Sequence, residues 1–280
     1  MCLSINTDIF SDRDNPFSIL KQIAEKGFKY IQWSHHYNTD FYYNKSEIKE
    51  IKNRLDEYGL ILNDLHATMG VEKRWFSETE YQRKAGVELL KNRIEMTAEL
   101  GGDVIVLHPF NTPDPDLYDI HYKQGKKSLN ELKEICLNTG VKIALENLTF
   151  MQTFTTLEKY FDNFKDDFLG FCWDTGHTNY LGPEAIDYAD KFTSERLIAL
   201  HINDNMGDGR DLHGIPFSGT ADWKKITKII SKSSYSVKKP LTLEVHHGEE
   251  KTLDEFMKIA MEKGLIINEM VKNHRKQHSL

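Results

Sequence analysis

The chain has 280 residues, 43 Asp and Glu against 36 Lys and Arg, and a formal net charge of −7. At 39% hydrophobic and 28% charged the composition is that of a folded globular protein, and the acidic balance counts against a nucleic-acid duplex as main partner, since phosphate contacts need a basic face. No apolar run reaches the roughly 20 residues of a membrane span, the N-terminus lacks the basic-then-apolar pattern of a secretory signal, and three scattered cysteines form no disulfide framework or Cys-x-x-Cys knuckle, so a reduced, cytoplasmic protein is expected.

Short strand-like runs alternate with longer helical ones. Leu3–Asn6 reads as a strand, followed by a helix over Pro16–Lys26 with Phe17, Leu20, Ile23 and Ala24 on one stripe. The strand Tyr30–Trp33 precedes a helix over Ser46–Tyr58, with Ser46 as its expected cap and Ile48, Ile51 and Leu55 on its apolar face. Ile61–His66 leads to a long helix over Ser77–Leu100, stopped by Gly101-Gly102. The strands Val104–His108, Lys142–Glu146, Leu169–Asp174, Leu197–Ile202 and Leu241–Val245 are followed by helices at about 126–138, 155–163, 183–192, 221–232 and 252–270, with 271–280 expected as a loose tail. VIVLH and KIALE are apolar with little alternation, as suits parallel strands covered on both faces. Eight strands and eight helices in strict alternation predict an α/β chain forming a single (β/α)8 TIM barrel over residues 1–280. An open doubly wound sheet is the structural alternative, but it rarely needs eight such units and no Gly-rich phosphate loop follows the first strand.

The 12 histidines acquire meaning on that scaffold. From the third strand onward, the strand ends carry His66, His108, Glu146, Asp174, His201 and Glu244. In a parallel barrel these ends open on one face, where barrel enzymes keep their chemistry. DTGH (174–177) adds His177 after a glycine that permits a tight turn, and RDLH (210–213) offers Asp211 and His213. A lone strand-end histidine is more often structural than functional, which leaves His35, His36, His121, His246 and His247 unassigned. The set is another matter: Glu146, Asp174 and Glu244 would repel one another, and a divalent cation removes that repulsion. His and carboxylate ligands without thiolates suit Mn²⁺, Co²⁺, Mg²⁺, Fe²⁺ or Zn²⁺. Trp33 and Phe110, near the rim, are candidates for the pocket wall.

The order DLHA, VLHP, ALEN, WDTGH, HINDN, DLH-IPFSGTADW and LEV resembles the xylose isomerase-like barrel superfamily, over roughly Phe17 to Lys263. That superfamily includes sugar phosphate isomerases/epimerases, ketose 3-epimerases, inosose isomerases and dehydratases, and apurinic (AP) endonucleases of the endonuclease IV type. Its isomerase branch implies one divalent metal held by Glu146, Asp174, His201 and Glu244, with Glu146 and Glu244 also serving as the acid/base pair and His177 contacting the substrate oxygen. His66, His108, Asp211 and His213 would then line the substrate site or hold additional metal. Its endonuclease branch implies three zinc ions on nine ligands, and His66, His108, Glu146, Asp174, His177, His201, Asp211, His213 and Glu244 match all nine in type.

Three departures weigh against the nuclease branch. The first strand lacks the Gly-x-His-x-Ser segment, ATMG after His66 lacks the wedge residues, and no Lys/Arg-dense loop flanks the site. The aromatic and polar stretch IQWSHHYNTDFYY (31–43) suits a small polyol instead. The expected function is therefore a metal-dependent isomerase or epimerase of a sugar, sugar phosphate or polyol, working by proton transfer through a metal-stabilised enediolate. A zinc-dependent phosphodiesterase is the alternative, and a catalytically idle sugar-binding barrel, which would tend to lose the glutamates, ranks last. The resemblance also implies a homo-oligomer, dimer or tetramer, as a common assembly.

Overall fold

A computed structural model describes residues 2–9, 16–233, 235, 239–248 and 252–278. The strands are β1 (Leu3–Asn6), β2 (Tyr30–Trp33), β3 (Ile61–His66), β4 (Val104–Leu107), β5 (Lys142–Glu146), β6 (Leu169–Asp174), β7 (Leu197–His201) and β8 (Leu241–Leu243). The helices are α1 (Pro16–Glu25), α2 (Lys45–Tyr58), α3 (Glu80–Glu99), α4 (Pro115–Thr139), α5 (Gln152–Asn163), α6 (Thr175–Leu181), α7 (Pro183–Arg196), α8 (Trp223–Lys232) and α9 (Leu253–His278). All described strand pairs are parallel, in the order β7-β6-β5-β4-β3-β2-β1-β8. The ring closes where Ile202 bridges Leu243 in parallel, with Ile202 N donating to Thr242 O (2.9 Å) and Glu244 N to Ile202 O (3.2 Å). This is the TIM barrel that the alternation predicts.

Strand alternation divides the core into two shells. Outward side chains such as Leu3, Ile31, Trp33, Ile105, Leu145, Phe171 and Leu243 join the helices in the large apolar cluster. On the axis, Val104, Val106, Ala144, Cys172 and Ala199 form a separate small cluster. The opposite side of the interior is polar, with Ser4, Asn6, Gln32, Asp64 and Thr242 almost completely buried.

Several local expectations change. Asn44, not Ser46, caps α2: its side chain accepts from Ser46 N and Glu47 N, and Glu47 reaches back in a capping box. Helix α4 starts at Pro115, well before 126, because Asp114 caps it and proline takes the first turn. The expected loose tail is helical as far as His278: Val271 is buried, and the Arg275 guanidinium donates to Ser231 O (3.2 Å) and Ser233 O (3.1 Å). Residues 279–280 lie outside the described residues. Helix α6, which has no counterpart in the sequence reading, begins directly on Asp174. Gly176 therefore sits in a helix and not in a tight turn, and its requirement is space: a Cβ there would lie 1.7 Å from Asn203 Oδ1. No helix among the described residues is long and apolar enough to cross a membrane.

Candidate metal centre

The register aligns Glu146 with Cys172 and Asp174 with His201 on neighbouring strands, so residues at equivalent heights share the axis. The last strand is pinned around Glu244 by its own N–H to Ile202 O and by Val245 N donating to Asn6 Oδ1 (3.0 Å). The outcome is a buried group of Glu146, Asp174, His201 and Glu244 whose candidate ligand atoms all lie within 4.8 Å of one another. His201 Nδ1 stands 3.0 Å from Glu244 Oε2, 3.2 Å from Glu146 Oε2 and 4.0 Å from Asp174 Oδ2.

Neither Glu146 oxygen nor His201 Nδ1 has a hydrogen-bond partner among the described residues, although all three are buried. Buried polar atoms are ordinarily satisfied, and buried carboxylates are costly without a cation. Three carboxylates and one imidazole nitrogen converging this way fit a divalent cation with a preference for oxygen and nitrogen ligands. Three contacts hold Asp174 in place within the group. Its Oδ1 accepts from His177 N (2.7 Å), Oδ2 accepts from Asn203 Nδ2 (2.7 Å), and its backbone N–H donates to Asn147 Oδ1 (2.8 Å).

Two further groups share carboxylates with the first. On one side, His66, His108 and Glu146 converge. The His66 Nδ1 faces Ala67 O at 3.1 Å, which suits an Nδ1–H donor and turns its Nε2 lone pair toward His108 Nε2 (3.1 Å) and Glu146 Oε2 (3.6 Å). On the other side, Asp174, His177 and His213 converge, with Asp211 bridging His177 Nε2 (3.2 Å) and His213 Nε2 (3.4 Å).

The loop carrying Asp211 and His213 is fastened from beneath. Asp204 in HINDN accepts from Ala221 N (3.1 Å), Phe217 N (3.0 Å) and Trp223 Nε1 (3.0 Å), and its backbone pairs with Gly214 in both directions at 2.8 Å. Asn205 donates to Asp211 Oδ1 (3.2 Å) and accepts from Leu212 N (2.5 Å). Thus HINDN and GTADW form the two halves of one clamp. Gly219 belongs to it because a Cβ there would come within 2.2 Å of Asn205 O.

Charge is shared throughout the cluster. Burial pushes the Glu146 carboxyl up, but His201, His108 and His177 outweigh it and hold the group well below the usual carboxylate range. Burial likewise opposes ionised Glu244, and His201 brings it down to about 2. Asp174 goes the other way, pushed up to about 6 by burial despite His177 and His213. Burial disfavours charge on His177 and His213, yet the carboxylates prevail, raising His177 well above its ordinary value and His213 to about 9. Without a cation, protons on these rings neutralise the carboxylates.

The structure thus brings together Glu146, Asp174, His201, Glu244, His66, His108, His177, Asp211 and His213. It does not bring Trp33 or Phe110 to them. Trp33 faces outward, because the adjacent Gln32 points to the axis, and its indole donates to Tyr43 OH (3.1 Å) among the helices. Phe110 is buried against Phe76, Tyr118 and His121. An aromatic ring beside the site is Tyr37, 4.8 Å from the His66 ring and 6.5 Å from that of His108. Gln32, Asn147 and Asn203, which support the ligands, are also absent from the sequence reading. Gln32 is the second residue of IQWSHHYNTDFYY, Asn147 follows Glu146 in ALEN and Asn203 lies within HINDN, so all three stand in stretches the sequence marks out.

The family model described as xylose isomerase-like TIM barrel matches residues 20–261. Uncharacterized protein y4fM of Sinorhizobium fredii is 32% identical over 250 residues, which are 80% of this chain and 79% of that protein. The probable endonuclease 4 of Mycobacterium bovis is 28% identical over 145 residues, 48% of this chain, and the match spans only 56% of that protein. Among solved structures, a D-tagatose 3-epimerase-like protein superposes with a TM-score of 0.78 at 21% identity, covering 99% of this chain and 100% of the other. The IolI protein with a bound zinc atom superposes at 0.73 and 18% identity, covering 98% and 99%. At these identities the structural likenesses show the fold. By the extent of the family match and the y4fM alignment, the chain belongs to the xylose isomerase-like TIM-barrel family.

Proposed function

We propose that this protein is a divalent-metal-dependent isomerase or epimerase of a sugar or sugar-like polyol. The observation that carries the proposal is the placement of two buried glutamates, Glu146 and Glu244, 3.2 and 3.0 Å from the same His201 nitrogen within one four-residue ligand group. Glu146, Asp174, His201 and Glu244 would hold the cation, which supplies Lewis-acid stabilisation of negative charge on a substrate carbonyl and its neighbouring hydroxyl. One glutamate takes the proton from the carbon next to the carbonyl, and the other delivers a proton to the opposite face or the adjacent carbon. His177, held by its backbone N–H on Asp174 and by its Nδ1 against Asn147 O (2.7 Å), is positioned to steady a substrate oxygen. The epimerase-like solved structure supports the same reading.

The direct test is a panel of ketoses and inososes assayed with Mn²⁺, Co²⁺ and Mg²⁺. Metal-dependent conversion of at least one member, abolished by a chelator, is expected. The absence of conversion across the panel would count against the proposal.

A second reading, a zinc-dependent phosphodiesterase of the apurinic endonuclease type, draws on the two flanking groups. Each shares a carboxylate with the central one, so adjacent cations are chemically accommodated. Three bound zinc ions together with cleavage of abasic DNA would select this reading over the first.

A further inference from the structure

We infer that Gln32 is a positioning residue that fixes the tautomer and ring plane of His201 and so keeps Nδ1 available to a divalent cation; this inference rests on the metal site proposed above. Gln32 lies on β2, on the far side of the axis from β7, and is fully buried. Its side-chain Nε2 lies 2.5 Å from His201 Nε2, while His201 Nδ1 faces Glu244, Glu146 and Asp174. The two ring nitrogens therefore have separate roles, one toward the carboxylates and one toward Gln32.

The hydrogen-bond logic fixes the orientation of the amide. An imidazole that binds a cation through Nδ1 must carry its proton on Nε2. An Nε2–H donor needs an acceptor, and Gln32 has one: its Oε1 is buried and has no hydrogen-bond partner among the described residues. The oxygen and nitrogen of a carboxamide exchange places by a half-turn about the last side-chain bond. Placing Oε1 against His201 Nε2–H satisfies the orphaned oxygen, gives the ring nitrogen its acceptor, and leaves the Nδ1 lone pair directed at the carboxylates. The metal-free arrangement, with the amide nitrogen against Nε2, sets an N–H donor there and puts the ring proton on Nδ1, 3.0 Å from Glu244 Oε2, so cation binding calls for the half-turn. Gln32 thus serves the site without adding a fourth negative charge to it.

Gln32→Met keeps the length of the side chain and removes the strong acceptor, whereas Gln32→Glu keeps an acceptor. Titration calorimetry with Mn²⁺ on chelator-treated protein is expected to show affinity lowered on the order of 10–100-fold in Gln32→Met and retained in Gln32→Glu. Circular dichroism should report the same metal-free fold for all three proteins. Long-range ¹H–¹⁵N NMR of the wild-type protein loaded with Zn²⁺ should find the His201 proton on Nε2. This measurement stands even if a variant fails to fold. Wild-type affinity in Gln32→Met, or an unprotonated Nε2 in the Zn²⁺-loaded protein, would overturn the inference while leaving the metal site intact. A wild-type protein that binds neither ion would overturn the metal site and this inference with it.

Discussion

At the residue scale, the centre is built from groups whose proton affinities are set by one another. Glu244 is brought down to about 2 chiefly by His201 against the effect of burial, so it is ionised at neutral pH and carries the charge a cation would meet. Replacing it with Gln removes the base while keeping the shape. Glu244→Gln, assayed at saturating Mn²⁺, should lower turnover on a responsive ketose by roughly 10²–10⁴-fold. Unchanged turnover would remove Glu244 from the acid/base pair. The histidines give a second residue-scale expectation. His213 is raised to about 9, above the ordinary value of about 6.5. A raised value means that its proton stabilises the metal-free fold fully below about pH 6.5, and that this contribution is lost as pH rises through about 9. Asp174, pushed up to about 6, has the same sign: its contribution is lost as pH rises through that value. Cations compete with these protons, so the rise in Tm caused by Mn²⁺ should grow between pH 6.5 and 8.5. A metal-induced shift that shrinks over this range would contradict the charge assignment.

At the element scale, the site depends on short connections as much as on strands. The Asp204 clamp ties HINDN to the segment 213–223 through two backbone N–H groups and one indole N–H, all ending on one buried carboxylate. Asp204→Ala leaves those donors unsatisfied at a cost of about 3 kcal/mol. Scanning calorimetry should show Tm lowered by roughly 5–10 °C, with weaker Mn²⁺ binding because His213 rides on the same loop. A Tm unchanged within error would show that other contacts hold the loop. What the sequence makes legible follows the same division. Strands β1 to β8 are readable because buried parallel strands are short, apolar and separated by helices, and strand ends locate ligands by height alone. Face is harder to read. Gln32 and Trp33 are neighbours in a four-residue strand, and no alternation within it says which one meets the axis; the structure turns Gln32 to the axis and Trp33 outward. Helix α6 is seven residues long, too short for apolar periodicity to register. The start of α4 was marked in the sequence by Asp114 and Pro115 but lies ahead of its apolar stripe.

At the scale of the whole molecule, one half of the barrel interior is plugged by small apolar side chains and the other half is polar. That asymmetry puts Gln32, Asp64 and Thr242 in the polar half of the interior, on the side away from the small apolar cluster. Asp64, pushed up to about 6 by burial, shows what this arrangement costs a carboxylate enclosed in the barrel. The acidic net charge of −7 includes Glu146, Asp174, Asp211 and Glu244, which sit together with histidines in the candidate metal centre, so it bears less on DNA than the total suggests. In the proposed function, Glu146 and Glu244 move a proton beside a carbonyl in a metal-loaded barrel. NMR of ketose turnover in D₂O by the Mn²⁺-loaded protein tests it most directly, with the metal removed before the spectra are recorded. Deuterium is expected on the carbon next to the carbonyl in the product, and none with Glu244→Gln. Turnover that leaves that carbon fully protonated, or three bound zinc ions with abasic DNA as the only substrate cleaved, would contradict it.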